Sequence, residues 1–173
     1  MDLAQMQALI RSIPDFPKQG ILFRDITPLL KDKDGFQAAI DLMASPYLSE
    51  RIDYVVAVEA RGYMFGAPLA YKLHAGFIPV RKPGKLPYGI IKKDYALEYG
   101  TNSLEIHNDA VAKGQRVLIV DDLLATGGTA AATKELLEQL GAVIVGCVFL
   151  VELKVLEGRK RLEGTPVTAF IQY

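Results

Sequence analysis

Val117-Leu118-Ile119-Val120-Asp121-Asp122-Leu123-Leu124-Ala125-Thr126-Gly127-Gly128-Thr129 is an apolar run that ends in two carboxylates and then a turn of small residues. The stretch 117–120 is short, continuous and largely β-branched, which predicts a strand buried on both faces, as in a parallel sheet. Asp121 and Asp122 follow at its carboxyl end. In open α/β sheets that edge carries the ligand crevice, because the loops leaving the strand tips diverge there. The two acids are therefore expected to face a ligand and not the core.

Residues 125–129 lead directly into 130–140, rich in Ala, Leu, Glu and Lys, which predicts a helix. Small residues let backbone N–H groups approach an anion, the two glycines permit positive φ, the threonines offer hydroxyls, and a helix start adds partial positive charge. A phosphate fits that turn. Two acids beside it suit a sugar phosphate, since they accept hydrogen bonds from vicinal hydroxyls and tolerate a nearby divalent cation. The plainer alternative is a tight strand-to-helix turn with solvated acids. Neither G-x-x-x-x-G-K-[ST] nor a G-x-G-x-x-G following a candidate strand occurs, so the two commonest phosphate loops do not apply.

The 173 residues suffice for one domain that buries roughly two thirds of its extended surface without a covalent staple. Twenty basic and twenty acidic residues leave a formal net charge of zero. No global field then draws the chain to nucleic acid or to an anionic membrane, and any cationic site has to be local. Cys147 is the single cysteine, and it lies in the apolar run 143–151. It reads as a small buried hydrophobe in a reducing, cytoplasmic compartment. With no apolar stretch of roughly eighteen residues and no basic leader, neither a membrane span nor an export signal is expected.

Toward the amino terminus, Leu3, Met6, Leu9, Ile10 and Ile13 keep helical spacing, which predicts a helix over 2–12 that ends before Pro14. Turn chemistry over 14–20 leads into Ile21-Leu22-Phe23-Arg24-Asp25-Ile26-Thr27, where Phe23 taken alone reads as core. Asp34 is the expected cap of a helix through about Met43. Tyr54 to Val58 reads as a second buried strand, running through Glu59-Ala60-Arg61-Gly62 into a helix from Tyr63 or Phe65 to Leu73. That repeats the strand-turn-helix order of the central stretch. Arg61 alone admits two readings, a cation for a ligand or a surface partner of Glu59.

The strand predicted over 76–80 delivers Arg81-Lys82-Pro83-Gly84-Lys85-Leu86-Pro87, three cations within five residues at another carboxyl end. Such a cluster is either a solvated loop or, in a neutral protein, a local site for a polyanion. The stretches 95–99 and 103–107 alternate about Gly100-Thr101-Asn102, predicting a flexible hairpin, and a long excursion between core strands commonly serves as a lid. Beyond the central stretch, 142–151 reads as a strand, 155–162 as a helix whose charged 157–161 face is solvated, and 167–171 as an edge strand.

The thirteen residues quoted first resemble the 5-phosphoribosyl 1-pyrophosphate (PRPP) motif of the type I phosphoribosyltransferases. Residues 21–27, 59–63, 81–87 and Leu97-Glu98-Tyr99-Gly100 resemble, in the same order, the branch of that family that uses adenine. The resemblance covers nearly the whole chain. It implies one α/β domain over 1–173, a mostly parallel sheet flanked by helices, with a small amino-terminal hood within 1–30 and a flexible catalytic hairpin over 82–107. It implies transfer of phosphoribose from PRPP to adenine, giving AMP and pyrophosphate, with Mg2+ carried by PRPP and a homodimeric assembly.

By the same resemblance, Asp121 and Asp122 hold the ribose, and Ala125, Thr126, Gly127, Gly128 and Thr129 hold the 5′-phosphate. Arg61, Lys82 and Lys85 hold the pyrophosphate, with Arg81 reaching a neighbouring subunit's site. Leu22, Phe23, Arg24 and Leu153 enclose adenine, Phe23 stacking on one face and Leu153 covering the other. Glu98 and Tyr99 close on the substrates, so that Glu98, Tyr99 and Arg61 form the catalytic set, while Glu105 and His107 look structural. The turn at 59–62 often carries a non-proline cis peptide in that family. Regulators that share the fold and read nucleic acid would need a winged-helix segment and a basic face, which this sequence does not offer.

Overall fold

The computed structural model describes residues 1–96 and 101–173, and it starts with a short helix, α1 (Leu3–Ala8). Its start is a reciprocal cap: the Asp2 carboxylate accepts the Gln5 N–H, and the Gln5 side chain accepts the Asp2 N–H. The helix expected over 2–12 stops at Ala8. Arg11–Ile13 instead form β1, antiparallel to β2 (Phe23–Asp25), with Ile13 opposite Phe23. Pro14 disfavours helical backbone at Ile13, and β2 satisfies the backbone groups that a further helical turn would have paired. Met6 and Ile10 are buried as their spacing required, but Leu3 is exposed.

After α2 (Thr27–Lys31), α3 (Lys33–Ala44) is capped by Asp32, whose carboxylate accepts the Gly35 N–H at 2.7 Å. Asp34, the cap expected from sequence, lies inside the first turn, where its charge complements the helix dipole. Next come β3 (Tyr54–Val58), α4 (Arg61–Lys72) and β4 (Gly76–Val80). Helix α4 begins at Arg61, earlier than the apolar spacing suggests, which fixes Arg61 at the strand-helix junction.

The hairpin is longer than expected, pairing β5 (Ile90–Ala96) with β6 (Thr101–His107). Then follow β7 (Arg116–Leu124), α5 (Gly128–Gln139), β8 (Val143–Glu152) and β9 (Val167–Gln172). Between β8 and β9 the helix expected over 155–162 is replaced by two 3-10 turns, Lys154–Leu156 and Gly158–Leu162. Glu157 between them has φ 51°, which ends one turn and redirects the next.

The main sheet has the order β4-β3-β7-β8-β9, and every neighbouring pair is parallel. It is the mostly parallel α/β sheet the sequence points to. Alternation along the strands divides the core in two. Val55, Ala57, Leu118 and Val120 pack with residues of α1, α3 and α4, whereas Val56, Val58, Val117 and Ile119 pack with Leu136 and Leu137 of α5. Both faces are covered, so the central strands are apolar throughout. Cys147 is fully buried in the second cluster, and burial pushes its thiol pKa up to about 12, as a structural cysteine requires.

Candidate active site

Strand β7 does not end where its apolar run ends. Its parallel register with β8 continues through Asp121 opposite Phe149 to Leu124 opposite Glu152, so both acids belong to the strand. Asp122 is 3% exposed and Asp121 partly so. Asp122 is thus more deeply buried than an acid at a strand tip suggests, yet both carboxylates line the recess at that edge.

Two contacts organise the pair. The Asp122 N–H donates to Asp121 Oδ1 at 2.9 Å, and Arg61 Nε lies 3.1 Å from Asp122 Oδ2. That oxygen is buried and has no hydrogen-bond partner among the described residues, its contact with Arg61 being one of charge. Burial, and next the neighbouring Asp122 charge, push the Asp121 carboxyl well above the usual carboxylate range. Burial raises Asp122 as well, with Arg61 opposing it. The first turn of α4 comes this close because residue 62 is glycine: a Cβ there would lie 2.8 Å from Asp121 Oδ1 and 3.3 Å from the Val120 carbonyl oxygen.

From Leu124 the chain turns through Ala125 and Thr126 into α5. Gly127 has φ 79° and precedes the first helical residue, Gly128, so the loop N–H groups and the helix start converge. Residues 125–129 line one recess of about 190 Å³ with Arg61, Asp121 and Asp122. The structure brings together here what the sequence assigned to ribose and 5′-phosphate. The Tyr95 hydroxyl, from the hairpin, lies 3.2 Å from the Thr129 hydroxyl, and Lys93 ion-pairs with Glu135 of α5. The turn-proximal part of strand β5 is thereby tied to the helix that follows the loop.

The cationic cluster is organised by one carboxylate. Glu59, at the end of β3, accepts from Arg81 Nε and Nη2 at 3.1 and 2.9 Å and from the Lys82 N–H at 2.8 Å, and Lys85 Nζ lies 3.2 Å from its Oε1. Burial raises the Glu59 carboxyl, but the Lys82 N–H, Arg81 and Lys85 outweigh it and hold it below its ordinary value. Arg61 therefore pairs with Asp122 and not with Glu59, while Arg81 and Lys85 pair with Glu59. The Glu59–Ala60 peptide is cis. Glu105 also serves this turn, its carboxylate accepting the Gly84 N–H while its backbone pairs with Arg81.

Leu22, Arg24 and Leu153 line a second, largely apolar cavity of about 420 Å³ together with Ile21, Val155 and Tyr173. Arg24 makes no ion pair with Asp25; its guanidinium lies 3.6 Å from the centre of the Tyr173 ring and donates to Ser12. Phe23 sits edge-on to Phe16 and 5.5 Å from the Arg61 guanidinium, on the side of the paired acids. Glu98 and Tyr99 lie outside the described residues.

Three contributors were not legible beforehand: Tyr95, Glu59 as the hub of the cations, and Gly158. A Cβ on Gly158 would lie 2.3 Å from the Ala125 carbonyl oxygen and 3.0 Å from the Gly127 nitrogen, so its backbone is seated on the loop. A glycine within an otherwise charged segment was the available signal.

A parallel sheet with paired acids at its crest, followed by a small-residue loop at a helix start, is the arrangement of a phosphoribosyl-binding transferase. The family model for the phosphoribosyl transferase domain matches residues 26–171. An adenine phosphoribosyltransferase of Brachyspira hyodysenteriae is 58% identical, over 98% of this chain and 99% of that one. The crystal structure of the Thermoanaerobacter pseudethanolicus adenine phosphoribosyltransferase aligns with TM-score 0.97 at 53% identity, covering 99% of this chain and all of that one. The Saccharomyces cerevisiae enzyme, crystallised with an iminoaltritol bisphosphate and adenine, aligns with TM-score 0.92 at 41% identity over 98% of each chain. The chain belongs to the phosphoribosyltransferase family and, within it, to the adenine phosphoribosyltransferases.

Proposed function

We propose that this chain transfers the 5-phosphoribosyl group of PRPP to adenine, releasing AMP and pyrophosphate, as a step of purine salvage. The observation that carries this reading is Asp122 Oδ2, a buried acceptor without a hydrogen bond, set beside Asp121 and Arg61 at the mouth of the 125–129 loop. A buried acceptor in that state is costly unless a donor arrives with the ligand. The vicinal hydroxyls of a ribose 5-phosphate seated in the loop are such donors.

Adenine N9 forms its bond to the anomeric carbon while the bond from that carbon to pyrophosphate oxygen breaks, and the N9–H bond breaks with its proton passing to water. Positive charge grows on the ribose and negative charge on the leaving group. Asp121 and Asp122 stabilise the first, and their ionised forms gain most as the sugar becomes cationic. Arg61, Lys82 and Lys85 stabilise the second, which requires Arg61 to exchange Asp122, and Lys85 to exchange Glu59, for phosphate oxygens. Arg81, held here by Glu59, would have to leave that carboxylate to reach a neighbouring subunit's site. Leu22, Phe23, Arg24 and Leu153 orient the base, Glu98 assists at adenine N7, and Tyr99 helps exclude water.

No three His, Cys, Asp or Glu side chains among the described residues converge as a metal cage. The acid pair nevertheless suits a cation that arrives with its ligand, and Mg2+ is proposed to enter on PRPP while Asp121 and Asp122 would hold the ribose. When bound, it neutralises charge on the pyrophosphate. We further propose a cytoplasmic homodimer. No helix among the described residues is long and apolar enough to cross a membrane, and Met64 and Tyr71 expose an apolar strip of α4.

Incubation with PRPP and adenine, hypoxanthine, guanine or xanthine, with detection of pyrophosphate, tests the reaction. Release with adenine is expected; release only with another base would replace the substrate, and release with none would remove the activity.

A further inference from the structure

The loop at 125–129 offers backbone N–H groups, two hydroxyls and a helix start, but no full positive charge. A phosphate monoester is largely a dianion at neutral pH. The nearby cations are committed elsewhere: Arg61 to Asp122, Arg81 and Lys85 to Glu59, Arg159 to Glu152.

Arg161 is different. Its Nη1 lies 3.5 Å from the position a Cβ of Gly128 would take, and among the described residues it has neither an ion pair nor a hydrogen bond. Two features hold it there. Gly158, three residues earlier, has its backbone seated on Ala125 and Gly127, and Leu162, the next residue, is 1% exposed and packed in the core around α5. The stem is anchored on both sides while the guanidinium stays exposed. On its other flank the Tyr95 ring stands 3.2 Å from the same Gly128 position. A Cβ at residue 128 would crowd the Tyr95 ring and stand in ordinary contact with Arg161.

We infer that Arg161 is a ligand of the 5′-phosphate, closing the loop from the 158–162 turn and supplying the cation that the loop lacks. The inference rests on the proposed reading of that loop as the 5′-phosphate site. The charged segment that contains Arg161 is then not simply a solvated face. Its fork of N–H donors matches two phosphate oxygens at once.

Calorimetric titration with ribose 5-phosphate and with adenine separates the possibilities. Arg161→Met is expected to weaken ribose 5-phosphate roughly tenfold or more, the scale of a lost charge-assisted contact. Adenine affinity should not change, and Arg161→Lys should recover part of the loss. Lys160→Met removes a neighbouring cation that pairs with Glu157, and it should leave both affinities unchanged. Affinity for ribose 5-phosphate in the native chain should rise as the phosphate passes from monoanion to dianion near pH 6, and Arg161→Met should flatten that rise. Unchanged ribose 5-phosphate affinity in Arg161→Met, or an equal loss in Lys160→Met, would overturn the assignment while leaving the transferase reading intact. Native protein that binds ribose 5-phosphate through Arg161 but makes no AMP would remove the reaction and keep the ligand. Native protein that binds no ribose 5-phosphate would remove both.

Discussion

Gly127 and Gly158 meet backbone to backbone: a Cβ on Gly127 would lie 2.3 Å from the Gly158 carbonyl oxygen, and Gly127 has φ 79°. The loop at 125–129 is therefore shaped by a turn some thirty residues further along the chain. Gly158→Ala would press a methyl group against the Ala125 carbonyl, at a cost of about 1–3 kcal/mol if the loop holds and a displaced loop if it does not. A lower melting temperature and weaker PRPP binding, with adenine binding retained, are expected from a thermal melt and calorimetry. Native values in both would show that the two turns move independently.

Asp121 carries a charge that the folded protein disfavours, because burial and the Asp122 charge raise its pKa. The folded state thus binds the proton more tightly than the unfolded state does, so the unliganded protein loses stability as pH rises from the ordinary carboxylate range through the raised folded value. Asp121→Asn should flatten that decline and raise the melting temperature near neutral pH; each 1 kcal/mol gained moves it by roughly 2–4 °C at this size. The same variant should bind PRPP poorly. Melting curves from pH 4 to about pH 8 with the same slope in both proteins would refute the assignment of the cost to Asp121.

Base choice is expected to favour adenine over hypoxanthine by about a hundredfold or more in kcat/KM. If a backbone carbonyl near Leu22 accepts from the 6-amino group of adenine, a 6-oxo group sets an oxygen against that carbonyl, and an unpaired polar contact in a closed site discriminates on that scale. Steady-state rates with the two bases decide it. Comparable values would leave the phosphoribosyl site in place and withdraw backbone recognition of the amine near Leu22.

For Glu98 the expected outcome is a split between rate and affinity. A carboxyl that assists at adenine N7 in the transition state makes Glu98→Leu lower kcat at saturating substrates, with adenine and PRPP affinities nearly native. Loss confined to affinity, with the rate restored by Glu98→Gln, would make Glu98 a strut of the hairpin.

Tyr71 is 91% exposed on α4 and lies two helical turns from Met64, itself 43% exposed. If this strip is the subunit contact, Tyr71→Glu should shift the sedimentation coefficient from dimer to monomer at micromolar concentration. A dimer that persists would place the contact elsewhere.

Much of this architecture can be read from local pattern. Continuous β-branched runs at 54–58 and 117–120 can only be strands covered on both faces, and each is followed by a turn of small or polar residues and a helix. That grammar places Arg61, Asp121 and the loop at 125–129 along one sheet edge before any coordinates are known, because strand direction and chain connectivity are local properties. Pairings between distant segments are not. Strand β1 exists because β2 offers it hydrogen bonds, and its own spacing reads as helix. Asp122 is buried because β7 stays in register with β8 to Leu124, a fact that resides in the neighbouring strand. Glu59 gathers Arg81, Lys82 and Lys85, and Gly158 sits on Gly127, across separations over which sequence carries no periodic signal. Side-chain chemistry is encoded residue by residue, but which groups share a charge, a proton or a surface is set by packing, and packing is a property of the folded chain as a whole.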